Sequence, residues 1–579
     1  MPPGLLLNRQ GPFPWRLSAI EGAATSNFRN TTMKSTNIVQ SNAQIRHLSL
    51  PGLAKILFGC LLLLVTAASC TGPSAPAKGS PPQERTINIL FIPSDARPIT
   101  YHYPLIVSRR QNINLILPPA EVLGRGQSDD SQRYEDLARF IEEKIPPADG
   151  VILSTDTFIY GSLLASRNHR LSSGELKERL ARLRHLLKDS PSPRPKVYAY
   201  TSLMRLPKQG GSREEPPYYD EFGARIYRFS VLEHKKKLGL LTGAEAMERE
   251  QLARSIPAPY LEDYLSRRQK NLSVTKEIIA DNPFTCWVLC RDDTSEYGYP
   301  RLEYQELQQL PGANFTSLTG ADETGLLLLA RMVNDFKQER PKVYVDYADS
   351  RAAGDIPAYE DVPLEHIVRE HLAAAGGWEV DRSEEADIVL MVNNAKGKSA
   401  EAASKENEPF RPENCLASFV QRAEAYLQQG KTVTVADVAF ANGADNKLIR
   451  LLLEKNLYFQ LESYAGWNTA SNALGSAIAE VMLQGDKQRC LLTRLVDDWT
   501  YQANVRQKIK QAIIARGLDP TNLQEKEKEI FAKLAEEKLN AFLQEHGITG
   551  AAVTGVDFPE NRTFEIAFDL KINGPAHAR

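Results

Sequence analysis

Short apolar runs that stop at a polar residue, each followed by a longer stretch with helical spacing, recur along the chain. They predict parallel strands joined by crossover helices. The runs are Ile87–Pro93, Ile113–Leu117, Gly150–Ser154, Lys196–Thr201, Phe284–Cys290, Val343–Val345, Ile388–Val392 and Thr432–Ala436. Between them, the stretch from Ser173 to Lys188 carries Leu176, Leu180, Leu183 and Leu187 on one helical face. The expected fold class is therefore α/β, built either as a TIM-barrel-like closed sheet or as an open, doubly wound parallel sheet. Both arrangements gather the side chains that follow strand ends at one rim, where such folds carry their chemistry.

A boundary is expected near Gln338–Pro341, where a long apolar helix ends and a new strand begins. It divides an α/β domain, residues 85–338, from a second α/β unit, residues 341–480. Residues 485–579 read as mostly helical with a terminal strand at Val553–Asp569. Arg494, Asp498 and the many Glu and Lys of that region are expected on solvated helix faces.

The N-terminus has a different pattern. Ile56 to Ala68 is an uncharged run of 13 residues behind Arg46, His47 and Lys55, and it ends in small residues before Cys70. A bilayer-spanning helix needs roughly 20 apolar residues, so the run reads as a signal-peptide core. Ala67-Ala68-Ser69-Cys70 resembles a bacterial lipobox with Ala67 in place of the usual Leu, which makes Cys70 the expected lipidation site. Plain secretion is the alternative. Residues 70–86, rich in Pro, Ser and Gly, read as a flexible tether. The expected location is the bacterial cell envelope, lipid-anchored or secreted, with the membrane as a partner through the anchor. Met33-Lys34 makes a more natural start than Met1, so residues 1–69 are set aside from the fold.

Composition narrows the function classes. The 579 residues carry 70 Lys+Arg against 72 Asp+Glu, a formal charge of -2, so no global basic field exists to hold nucleic acid. At 42% hydrophobic and 25% charged, the chain is globular. Cys286, Cys290, Cys415 and Cys490 are scattered, and the first two lie four apart on one extended run, too far for a disulfide. Buried free thiols are expected. No paired CxxC spacing supports zinc, and no Walker, GxGxxG or Gly-x-Ser-x-Gly pattern supports a nucleotide cofactor or a serine nucleophile, so no cofactor is expected.

Candidate chemistry follows the strand ends. The first strand delivers Asp95 and Arg97, which either bind a ligand or form a salt bridge that fixes the loop. The third delivers Asp156, with Tyr160 and then Arg167, although Asp156 also fits an N-cap. The strand ending at Arg291 runs directly into Asp292 and Asp293, followed by Tyr297. Two adjacent carboxylates in a sheltered pocket repel, and one is then held protonated beside an ionised neighbour, as acid–base catalysis requires. Metal binding or helix capping by Asp293 competes with that reading. Asp322 and Glu323 open a helix and read as a cap and as a favourable charge at its positive end. Asp437 follows another strand, and Tyr464 to Asn472 places Trp467, Asn468 and Asn472 before a helix. An aromatic ring beside amides suits a hydroxyl-rich ligand; a buried Trp in a capped turn fits equally well.

Together these stretches resemble a bacterial family catalogued as domain of unknown function 4127. The resemblance rests on Asp95-Ala-Arg97-Pro98, Asp156 with Tyr160-Gly161 and Ala165-Ser166-Arg167, Met204-Arg205, Asp292-Asp293 with Tyr297-Gly298, and Gly320-Ala-Asp322-Glu323. Tyr464 to Asn472 and Asn561-Arg-Thr-Phe-Glu565 complete it, over nearly all of residues 87–570. Ser94, Ala96 and Glu560 depart from the family pattern. The family brings no established activity. A second, local similarity links Trp287 to Asp293 with the strand-end aspartate pair of O-GlcNAcase-type glycoside hydrolases. It implies that Asp292 orients a substrate acetamido group and that Asp293 is the general acid/base.

The expected function is an envelope-anchored hydrolase of a carbohydrate or glycan, possible substrates including an amino-sugar glycoside. Asp292 and Asp293 are its catalytic residues, and Asp95, Arg97, Asp156, Tyr160, Arg205, Tyr297, Asp437, Trp467, Asn468 and Asn472 bind substrate. A second carboxyl from Asp95, Asp156 or Asp437 would complete a two-acid glycosidase. The alternatives are a sugar-binding lipoprotein without chemistry, and a Mg²⁺- or Mn²⁺-dependent phosphate or ester hydrolase with Asp95, Asp156 and Asp292 as ligands.

Overall fold

The computed structural model describes residues 85–109, 112–123, 131–189, 194–210, 213–397, 399–410 and 415–578. The signal-like run, Cys70 and nearly all of the tether lie outside the described residues. Of the two α/β architectures expected, the open one is present, and it occurs twice. The first sheet contains β1 (Ile87–Ile92), β2 (Ile113–Ile116), β3 (Gly150–Ser154), β4 (Lys196–Leu203), β5 (Cys286–Arg291) and β6 (Thr316–Thr319), in the spatial order β2-β1-β3-β4-β5-β6. Every pairing is parallel.

The second sheet contains β7 (Lys342–Tyr347), β8 (Trp378–Val380), β9 (Ile388–Asn393), β11 (Thr432–Asp437) and β13 (Ser463–Ala465), in the order β13-β11-β9-β7-β8 and again all parallel. The short β10 (Ala400–Glu401) and β12 (Phe440–Ala441) pair beside it. In each sheet the chain steps one way to its second strand and the other way to its third. The strand order therefore reverses between β1 and β3, and between β7 and β9. Doubly wound sheets open their ligand crevice at such a reversal, beyond the carboxyl ends of the strands.

The strands are apolar because helices cover both faces: β3 and β9 are buried along their whole length. The helices Thr324–Lys337 and Ala470–Leu483 join residues of both sheets in one hydrophobic core. Every residue of the second of these is buried. Gly475 permits a close approach to the start of the first, since a Cβ there would lie 2.2 Å from Cγ of Glu323.

After Ala470–Leu483 the chain runs through the helix Lys487–Arg494, a π-helical stretch Leu495–Val505 and the helix Arg506–Ile514, and then through Glu525–Glu545. It ends in an antiparallel hairpin, β14 (Ile548–Asp557) with β15 (Ala567–Ala578), where one strand was expected. Arg494 and Asp498 are not solvated: their side chains are 1% and 0% exposed. Arg494 lies 3.8 Å from the centroid of the Tyr103 ring and donates to Glu480 at 2.8 Å. A charged helix reads as a surface helix unless its partners, here on distant elements, are known.

Candidate functional site

β1 leads into a loop in which Asp95 accepts the Arg97 backbone N–H at 3.0 Å, the Thr100 hydroxyl at 2.6 Å and the Arg97 Nε–H at 2.9 Å. The carboxylate thus fixes the loop and aims the guanidinium. The helices after β3 end at Arg167, and β4 ends beside Arg205. Asp292 and Asp293 follow β5, and Asp322 follows β6 by way of Gly320, whose N–H donates to the Arg291 carbonyl at 2.8 Å. Asp293 itself sits at φ 35°, in the left-handed region that aspartate tolerates better than most residues.

Six of these side chains, Arg97, Arg167, Arg205, Asp292, Asp293 and Asp322, line a cavity of about 470 Å³. Elements beyond β7 supply its other wall. Asn442 follows β12, Asn468 and Thr469 follow β13, Arg506 and Lys510 come from the helix Arg506–Ile514, and Arg562, Thr563 and Phe564 come from the β14–β15 connection.

Each acid is held by an arginine from another element. Arg167 donates to Asp292 at 2.6 Å, Arg205 to Asp293 at 2.6 Å, and Arg97 to Asp322 at 2.5 Å. Glu214 ties two of these arginines to a third cation, accepting from Arg167 at 2.8 Å, from Arg205 at 2.5 Å and from Arg562. Glu565 accepts from Arg562 at 2.8 and 3.0 Å and from Arg97 at 3.4 Å. These charge-assisted bonds fix the positions of the cavity groups to within a hydrogen-bond length.

The acids are nevertheless shifted upward. Burial raises Asp292, with its neighbour Asp293 adding to the effect and Arg167 opposing it. Burial also raises Asp293 against Arg205, and it raises Asp322 against Arg97, with Asp292 adding repulsion. Asp292 and Asp322 therefore sense each other across the cavity, so a proton is retained more readily in this group of acids than on an isolated aspartate.

The structure brings together Arg97, Arg205, Asp292, Asp293 and Asn468 of the expected set, with Asp95 directly behind Arg97. The others do not line the cavity. Asp156 is buried beneath it, with one carboxylate oxygen accepting the Ser202 N–H at 2.8 Å and the other unpartnered. It caps no helix; Ser154 does. Tyr160 stacks on His169 at 4.9 Å, and Tyr297 packs against His234. Asp437 is buried in the second unit, accepting from Tyr464 at 2.6 Å and Asn393 at 2.8 Å. Asn472 is buried and donates to Thr469. Trp467 is buried behind Phe564, ring centroids 6.2 Å apart, so Phe564 supplies the aromatic surface that Trp467 was expected to give.

Asp322, read in the sequence as a cap, makes no cap hydrogen bond; the helix begins behind Glu323, and Asp322 turns to Arg97. Arg506, Lys510 and Glu214 were missed. They lie in helical or loop sequence with no strand end to mark them. Among the described residues no group of three His, Cys, Asp or Glu side chains is arranged to hold a metal ion. Asp95 is taken by Arg97 and Asp156 by a backbone N–H, which leaves the expected Mg²⁺ ligand set dispersed.

No curated protein matches the chain. A family model does, over residues 89–569, a span that holds both sheets except the first two residues of β1, and every residue of the cavity. The chain belongs to the family described as protein of unknown function (DUF4127).

Proposed function

We propose that the protein is a carbohydrate hydrolase held at the bacterial cell envelope through Cys70, with Asp292, Asp293 and Asp322 as its acid–base groups. The observation that carries this reading is that three carboxyl groups from the ends of two neighbouring strands enter one cavity, each with its proton affinity raised by burial. Asp322 stands on a different strand end from the adjacent pair, as a second carboxyl must to act from the other side of a scissile bond.

In the proposed reaction, Asp293, the most exposed of the three at 24%, gives its proton to the leaving glycosidic oxygen as the C–O bond breaks. A water adds to the anomeric carbon and passes its proton to Asp322, which accepts it in the ionised form that the Arg97 guanidinium favours against burial. Asp292 positions the substrate, Asn442 and Asn468 hydrogen-bond its hydroxyls, and Phe564 packs on its apolar face.

The test is turnover of a panel of natural and chromogenic glycosides by the full chain, wild type against Asp293→Asn. Loss of turnover by 10²-fold or more with retained fold supports the assignment; full activity in the variant removes it.

A specific observation favours a second reading. Each of the three acids sits within 2.6 Å of a guanidinium nitrogen, which favours the ionised form and suits a site that captures a polar ligand without chemistry. In that case no glycoside is turned over, and Asp293→Asn changes affinity alone.

A further inference from the structure

Four of the cavity's arginines are paired. Arg97, Arg167, Arg205 and Arg562 each donate to at least one carboxylate. Arg506 and Lys510 are different. Arg506 is only 9% exposed, yet its guanidinium makes no ion pair and no hydrogen bond with any described residue, and its Nη1 is fully buried without a partner. What it does have is the face of Phe564, 5.2 Å away, and the field of Glu401, Glu565 and Asp497, none of which forms an ion pair with it.

Lys510 follows one turn later on the same helix and lines the same cavity, likewise without a carboxylate partner among the described residues. Two cations at this spacing repel. The nearby acids have other partners: Glu565 has Arg562 and Arg97, Glu401 has the Tyr359 hydroxyl at 2.9 Å and the Asn442 amide at 2.9 Å, and Asp497 has the Gln502 amide at 3.3 Å. Burial lowers the pKa of both cations, and for Lys510 the charge of Arg506 adds to the effect. Leaving a cation buried and unpaired is costly, and the cost is recovered when an anion arrives.

We propose that the cavity has an anion subsite formed by Arg506 and Lys510 on the Phe564 platform, so that the ligand is a sugar bearing an oxyanion, either a carboxylate or a phosphate. The proposal takes the cavity to be the carbohydrate site argued above, and it narrows the substrate class. The oxyanion docks at the Arg506–Lys510 wall while the neutral part of the sugar extends toward the acids on the opposite wall. A carboxylate or phosphate spans two donors of one guanidinium, a geometry an ammonium cannot match.

The test is binding, read separately from turnover. Thermal shift and calorimetric titration of the full chain use four probes: glucuronate, glucose 6-phosphate, inorganic phosphate and neutral glucose. Glucuronate, glucose 6-phosphate or both should bind at least tenfold more tightly than glucose, with affinity that falls as salt rises. A preference between the first two assigns carboxylate or phosphate. Arg506→Met should lose at least tenfold for the charged probes and nothing for glucose, and Arg506→Lys should keep part of the affinity. Removing an unpaired buried charge should leave the unliganded protein at least as heat-stable as wild type, so a loss of binding is not a loss of fold. Equal binding of glucose and the charged sugars, or charged-sugar binding unchanged in an Arg506→Met/Lys510→Met double variant, overturns the proposal. Asp293→Asn should still bind the anions; if it does and no glycoside is turned over by wild type, the hydrolase reading fails while the anion subsite stands.

Discussion

The Gly320 N–H donates to the Arg291 carbonyl at 2.8 Å, joining the last residue of β5 to the turn after β6. One residue beyond Arg291 stands Asp292, and two beyond Gly320 stands Asp322, so this backbone bond extends the β5–β6 pairing to the point where two of the cavity's acids leave it. Gly320 holds φ 103°, and a Cβ there would lie 2.1 Å from Glu323 Oε1 and 2.6 Å from Ser471 Oγ. Gly320→Ala should therefore lower stability by about 1–3 kcal/mol, seen as a lower urea midpoint, and should weaken ligand binding as Asp322 shifts. A variant with unchanged midpoint and binding would show that the turn can rearrange freely.

Stability should fall as pH rises from 5 to 8. Asp156 is pushed up to about 7 and Glu360 to about 8, both chiefly by burial. In this window the folded protein holds protons that the unfolded chain has already released. The folded state thus binds more protons than the unfolded one, and unfolding free energy decreases with pH, by at most about 1.4 kcal/mol per pH unit for each group. Urea titrations at pH 5, 6, 7 and 8 measure the slope; a midpoint that rises across the series contradicts it.

Asp156→Asn separates the two roles once open to that residue. An amide oxygen can still accept the Ser202 N–H, and no charge is left to bury. The variant should keep ligand binding within about twofold, because Asp156 does not line the cavity, and its pH slope between 6 and 8 should be shallower than that of wild type. Loss of binding would place Asp156 in the site after all.

Arg494 is the cation of a fully buried group with Glu480 and Asp498. Arg494→Met leaves two buried carboxyls without their cation and should cost about 3–5 kcal/mol. The double variant Arg494→Met/Glu480→Met should recover a large part of that loss. Paired unfolding curves decide it, since a surface charge would give less than about 1 kcal/mol in the single variant.

The α/β class, the eight apolar runs and the strand-end position of Asp95, Arg97, Asp292 and Asp293 were legible because periodicity and strand termination are local properties of the chain. β6 was not legible: Thr316–Thr319 is four residues, half of them threonine, and offers no apolar run. With β6 unseen, Asp322 passed for a helix cap. Trp467 and Phe564 exchange roles for a similar reason, since two aromatics that stack in depth look alike in sequence and only packing puts one in the core and the other at the cavity.

By itself the sequence determined the kind of layer each segment enters and the chemistry available at each strand end, because hydrophobic periodicity and side-chain identity act over a few residues. Tertiary structure alone decided which charges meet. Arg97 finds Asp322 225 positions away, and Arg562 finds Glu214 348 positions away. Electrostatic partnership depends on distance in space, and it leaves Arg506 without a carboxylate at the wall of a cavity crowded with them.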